Sequence, residues 1–152
     1  MINKNYIFTY IFAREKQIFM FINDSSIHLN YKIYDVKPYH KNSVKKFLYG
    51  IYNCKAVITN SYHGTVFSII FKKPFVSFIN KSNSIDRFNS LRQIFKIDNR
   101  IFLSNQKPNI SLLTTPLNID YNRINILKAK SIDYLKKNLN NYKEKKKYFQ
   151  GS

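Results

Sequence analysis

The chain has 152 residues, enough for one α/β domain with a core of its own. Hydrophobic residues make up 44% and aromatics 16%, which excludes a disordered chain. The formal net charge of +18 sets up a positive field that draws in anions. That charge has two origins open to it: attraction to phosphates, anionic lipid or nucleic acid, or a composition biased toward Lys, Asn, Ile, Phe and Tyr. The single cysteine, Cys54, excludes an internal disulfide and sits in an apolar helical pattern, as a small core residue does. The opening MINKNYIFTYIF is too short an apolar run for a membrane span and lacks a small-residue cleavage site, so the expected location is the cytoplasm.

Tyr6 to Phe12 is dense in β-formers and reads as a buried strand. Met1 stands only a few residues before it, which points to a preceding part of a larger protein. Residues 14–26 read as a helix, with Ile18, Phe21 and Ile22 on one face. Residues 31–36 alternate as a strand, closed by Pro38. Ser43 is a plausible N-cap for a helix that presents Val44, Phe47, Leu48 and Ile51 and ends near Asn53 or Cys54. Ala56 to Thr59 is a short strand, Asn60 to His63 a polar turn, and Gly64 onward a helix. Phe75 to Phe78 follows as a strand, then a polar loop, Asn80 to Ser84. Residues 85–95 read as a helix with Phe88, Leu91 and Phe95 on one face, and Ile101 to Leu103 as a strand. The last helix, 121–142, carries Ile124, Leu127, Tyr134, Leu135 and Leu139 as one stripe. Strands alternating with helices predict a Rossmann-like parallel sheet with helices on both faces. The domain is expected over 1–142, with 143–152 a basic tail.

The chemistry gathers in VITNSYHGTVFSIIF, Val57 to Phe71. A buried strand runs into a polar turn and then a helix, and parallel α/β sheets bind ligands beyond the carboxyl ends of their strands. The helix N-terminus offers unpaired N–H groups to a phosphate. Ser61 and Thr65 add hydroxyls, Gly64 lets a ligand approach the backbone, and His63 supplies an imidazole for proton transfer. The same turn is also compatible with a capped helix and a hydrogen-bonded histidine. His28 and His40 lack such a context and read as surface residues. No Cys/His/Asp/Glu cluster has metal-ligand spacing, and no P-loop or dinucleotide fingerprint is present.

The stretch ITNSYHGTVFSIIFKKPFVSF resembles the hallmark of the polysaccharide pyruvyl transferase family, Thr-Asp-Ser-Phe-His-Gly-Thr followed by Phe-Ser and an apolar helix ending in Lys-Pro-Phe. RFNSL (Arg87, Ser90, Leu91) and Asp98-Asn99-Arg100 extend the resemblance downstream, and FLYGIYNCKAVITNS extends it upstream. Asn60 stands where the family often has Asp, and Tyr62 where Phe is usual. The Asn removes a charge that would orient a neighbour.

The resemblance implies the C-terminal lobe of a glycosyltransferase-B-type fold, working with an N-terminal lobe or a neighbouring chain across a cleft. It implies transfer of a pyruvyl group from phosphoenolpyruvate to two sugar hydroxyls of a capsule, exopolysaccharide or cell-wall glycan, with no cofactor beyond that donor. Such a donor needs anion ligands. His63 is the expected catalytic residue, and Ser61, Gly64, Thr65, Asn80, Lys81 and Arg87 are the expected substrate ligands. Arg87 reads equally as a surface charge. Lys72 and Lys73 read as complements to a helix dipole. If the glycan acceptor is lipid-linked, Lys143 to Lys147 would make peripheral membrane contact. A glycosyltransferase lobe using an activated sugar and a non-catalytic basic module are the alternatives. Most aromatics fall at predicted core positions rather than interleaved on a surface, so nucleic acid is not an expected partner.

Overall fold

The computed structural model describes residues 5–13, 15–38, 43–79, 85–122, 124–134 and 136. Five strands, β1 (Tyr6–Tyr10), β2 (Lys32–Asp35), β3 (Ala56–Thr59), β4 (Phe75–Ile79) and β5 (Ile101–Leu103), form one sheet in the order β2-β1-β3-β4-β5. Every pairing is parallel. The helices between them are α1 (Lys16–Leu29), α2 (Ser43–Asn53), α3 (Tyr62–Ile70) and α4 (Ile85–Phe95). The arrangement is the Rossmann-like α/β fold that the alternating pattern predicts. The order reverses between β1 and β3: the chain leaves β1 toward one edge and leaves β3 toward the other. Loops leaving a reversal point diverge, and a crevice opens between them.

Side-chain alternation builds the two faces. On one, Ile7, Ala56, Ile58, Val76 and Phe78 join Ile18, Phe21 and Ile22 of α1 and Leu113 in one buried cluster. Phe21 meets Phe78 edge-on at 5.7 Å. On the other, Phe8 meets Phe47 of α2 at 5.6 Å, and Phe47 meets Phe67 of α3 at 5.5 Å. Gly50 lets α2 lie close to the sheet, since a Cβ there would come within 2.6 Å of the Phe8 ring and 2.8 Å of Tyr34. The Tyr6 hydroxyl donates to the Gly50 carbonyl at 2.7 Å, tying the same helix to β1.

Several boundaries differ from the sequence reading, each for a local reason. β1 ends at Tyr10, because the chain turns away there and Phe12 is 47% exposed. α1 starts at Lys16 and runs to Leu29, past the serines expected to end it. Ser25 is buried and helical, and the stop is Asn30 in the left-handed region (φ 51°). Ser43, expected as a cap, is the first residue of α2. Lys72 also takes a left-handed conformation (φ 56°) where α3 ends. Lys73 does not serve the α3 dipole. Its ammonium donates to the Cys54 carbonyl at 3.1 Å and stands 5.9 Å from the Tyr52 ring, across at the end of α2.

The chain divides into two compact units, Met1–Asn118 and Ile119–Ser152. The final helix, expected inside a 1–142 domain, therefore falls in the second unit. Its described helical residues are 121–122, 124–134 and 136, and Leu127 and Tyr134 of the expected stripe are exposed. Lys143 to Lys147, expected as a tail, and Asn80 and Lys81, expected in a loop, lie outside the described residues. Among the described residues, no helix is long and apolar enough to cross a membrane.

Candidate functional site

A cleft of about 370 Å³ opens at the carboxyl edge of the sheet. Phe12, Ala13 and Glu15 line it from the β1 side, and Asn60 to His63 line it from the β3 side. Arg87 of α4 and Ser104 beyond β5 extend it across the neighbouring strands. The cleft therefore sits at the reversal point of the sheet.

Asn60 holds the two walls together. The Phe12 N–H donates to Asn60 Oδ1 at 2.8 Å, and Asn60 Nδ2 donates to the Ala13 carbonyl at 3.0 Å. Both halves of the amide are used, which a carboxylate at this position would not allow. Thr59 adds a second tie, its hydroxyl donating to the Tyr10 carbonyl at 2.7 Å.

Ser61 is the N-cap of α3: its Oγ accepts the Gly64 N–H at 3.4 Å and its carbonyl accepts the Thr65 N–H at 3.0 Å. This cap starts the helix at Tyr62, two residues before the expected Gly64. Tyr62 and His63 thus belong to the first helical turn, where backbone N–H groups have no partner within the helix. Ser61 lines the cleft although it is only 4% exposed. Its oxygen is committed to the cap, so its O–H is what remains for a ligand.

Gly64 and Thr65 face away from the cleft. Both are buried, and neither lines it. A Cβ on Gly64 would stand 3.0 Å from Thr59 Cβ and closer still to Oγ1, so the glycine lets α3 pack closely on β3. The Thr65 hydroxyl contacts the Ser61 carbonyl at 3.1 Å and Ser77 Oγ at 2.7 Å, fastening α3 to β4. The structure does not bring these two into the lining of the cleft.

It does bring together His63 and Arg87, which are both exposed and both line the cleft. Tyr62 connects them. Its ring lies 6.1 Å from the His63 ring and 5.7 Å, edge-on, from Phe88, with the Arg87 guanidinium carbon 5.2 Å from its centroid. His28 is exposed on α1, away from this cleft. Among the described residues, no group of three or more His, Cys, Asp or Glu is placed to hold a metal ion.

Sequence reasoning missed Asn60 as a clamp and Arg100 as a staple. Arg100 is 3% exposed, and its guanidinium donates to the carbonyls of Leu112, Thr115 (2.9 Å) and Pro116 (3.1 Å). Burial lowers its pKa, and these carbonyls compensate the buried charge. No periodicity marks either residue, because their partners lie 12 or more residues away along the chain.

The family model for polysaccharide pyruvyl transferase matches residues 2–82 of the chain. The match spans β1 to β4 and includes the whole turn from Asn60 to Thr65. No curated protein and no solved structure matches the chain.

Proposed function

The chain belongs to the polysaccharide pyruvyl transferase family, and on that premise we propose that its cleft holds phosphoenolpyruvate and serves pyruvyl transfer to two hydroxyls of a surface glycan. The observation that carries the reading is the convergence of His63, Arg87 and the first turn of α3 on one cleft at the reversal point of the sheet. In this proposal the chain supplies one lobe of a glycosyltransferase-B-type enzyme, and an N-terminal lobe or a neighbouring chain closes the cleft.

Phosphoenolpyruvate carries its phosphate ester and its carboxylate on the same central carbon. Arg87 is a planar fork of donors suited to either group. The N–H groups of Tyr62 and His63 and the partial positive end of α3 suit the other. Ketal formation makes two C–O bonds from the sugar to the central carbon and breaks the bond from that carbon to the phosphate oxygen. Two hydroxyl protons are released. One ends on the methylene carbon, which becomes a methyl, and the other leaves with phosphate. His63 is the proton carrier, since an imidazole can accept a proton from a hydroxyl and give one to carbon. Asn60 orients without charge, so it adds no repulsion toward the donor. Asn80 and Lys81, which follow β4 in the sequence, remain candidate anion ligands. A cytoplasmic setting near the inner membrane face fits a lipid-linked acceptor, with Lys143 to Lys147 meeting anionic headgroups.

Calorimetric titration of the full chain tests the reading. Phosphoenolpyruvate is expected to bind saturably, Arg87→Ala to weaken it about tenfold or more, and His63→Ala to leave it within a few-fold. A nucleotide-sugar that binds where phosphoenolpyruvate does not would replace this reading with a glycosyltransferase.

A further inference from the structure

On another side of His63 lies a second cavity, of about 230 Å³, lined by Tyr10, Val44, Phe47, Leu48, His63 and Phe67. Among the described residues, His63 alone lines both this cavity and the anion cleft. The two differ in chemistry. The cleft presents Arg87, Glu15, Asn60 and Ser61, whereas every lining residue here other than His63 is aromatic or aliphatic. Phe47 is buried, and the rings of Tyr10 and Phe67 meet it at steep angles, with centroids 4.7 and 5.5 Å away. Val44 and Leu48, one turn apart on α2, are 69% and 38% exposed.

A two-substrate transfer needs donor and acceptor held against each other at one centre. Phosphate and carboxylate gain nothing from an apolar aromatic wall, so the donor belongs in the cleft. A pyranose differs: one of its faces is a patch of C–H groups, and its rim is a ring of hydroxyls. The positively polarised C–H groups settle on the negative faces of aromatic rings. Resting on the pyruvyl transfer reading, the geometry points to the Tyr10–Phe47–Phe67 cavity as the acceptor subsite, holding one sugar ring of the glycan with its hydroxyls turned to His63. The volume falls below the roughly 300–1,000 Å³ typical of pockets for larger ligands, which suits a single ring. A lipid chain would also fill apolar space, but it would bring no hydroxyl to the imidazole that the donor shares.

The test follows the methyl resonances of Val44 and Leu48 and the ring of His63 in the full chain. Methyl β-glucopyranoside, methyl β-galactopyranoside and methyl α-mannopyranoside are titrated separately, and octanoate serves as an alkyl control. At least one pyranoside is expected to shift all three groups saturably. Leu48→Asp, and independently Val44→Asp at its exposed position, should weaken that binding about tenfold while phosphoenolpyruvate affinity stays within about twofold. The subsite is overturned if no pyranoside moves the Val44 and Leu48 methyls. It is equally overturned if only octanoate moves them, or if they broaden with protein concentration in the absence of sugar. Phosphoenolpyruvate shifts at the Ser61 and Tyr62 amides are read in parallel. Their absence would end the donor reading and leave the sugar result to stand or fall alone.

Discussion

The guanidinium carbon of Arg87 lies 5.2 Å from the centroid of the Tyr62 ring. This contact joins α4 to the first turn of α3 and sets a cation beside the helix N-terminus. Tyr62 also backs onto the His63 ring at 6.1 Å. A single aromatic residue thus contacts both the proposed anion ligand and the proposed proton carrier. An exposed cation–π contact is worth about 0.5–1 kcal/mol, so Tyr62→Leu should weaken phosphoenolpyruvate binding about two- to fivefold. Tyr62→Phe keeps the ring and should change binding by less than about twofold. Calorimetry on the two variants separates the ring from the hydroxyl, and equal losses would mean that the ring does not position Arg87.

Asn60 carries the tie across the reversal point, using Oδ1 toward Phe12 and Nδ2 toward Ala13. Asn60→Asp keeps the acceptor but turns a carboxylate oxygen toward the Ala13 carbonyl. The expected cost is about 1–2 kcal/mol, since a hydrogen bond is replaced by repulsion. Urea unfolding at neutral pH measures it. An Asp variant as stable as the parent would show that the amide donor contributes nothing.

Gly64→Ala separates packing from ligand approach. The added methyl meets Thr59 of β3, which is fully buried, and overpacking of this kind costs about 1–3 kcal/mol. Phosphoenolpyruvate affinity of the folded variant should stay within about threefold. Unchanged stability with lost binding would return Gly64 to the binding surface.

Two buried groups predict how stability depends on alkaline pH. Desolvation pushes the Cys54 thiol from 9.0 up to about 12, with Lys73 opposing the rise. Desolvation also pushes the Tyr6 hydroxyl from 10.0 up to about 12, with Cys54 adding to it. Both folded values lie above the unfolded ones, so the neutral forms favour folding. That stability is fully present below pH 9 and is lost as pH rises toward 12. Urea midpoints measured from pH 8 to pH 11 should therefore fall, and Cys54→Ala should flatten part of the slope. Cys54 in the folded protein should also react slowly with thiol reagents at pH 8, because little thiolate is present.

Local patterns made the alternation of strands and helices legible in the sequence. Runs such as AVIT and FVSF are buried along their whole length in a parallel sheet, so they read as short segments of β-formers without a charged residue. The helix faces of Ile18, Phe21 and Ile22, and of Phe88 and Leu91, follow the helical period. The turn around His63 was legible because strand, polar turn and helix follow one another within a few residues. Gly64 and Thr65, expected beside the ligand, are buried against the sheet, because sequence places residues at a turn without saying which way they face. Ser61 draws the helix start back to Tyr62, and this rotates Gly64 and Thr65 onto the sheet. The Asn60 clamp spans 48 residues to Phe12, and long-range hydrogen bonds of that kind leave no periodic trace.

The most direct measurement is a crystal structure of the full chain with phosphoenolpyruvate. The account predicts the ligand in the reversal-point cleft, one anionic group within hydrogen-bond reach of the Arg87 guanidinium and the other at the Tyr62 and His63 amides, with the imidazole beside the methylene carbon. Phosphoenolpyruvate bound away from that cleft, or turned so that its methylene is out of reach of His63, would contradict it.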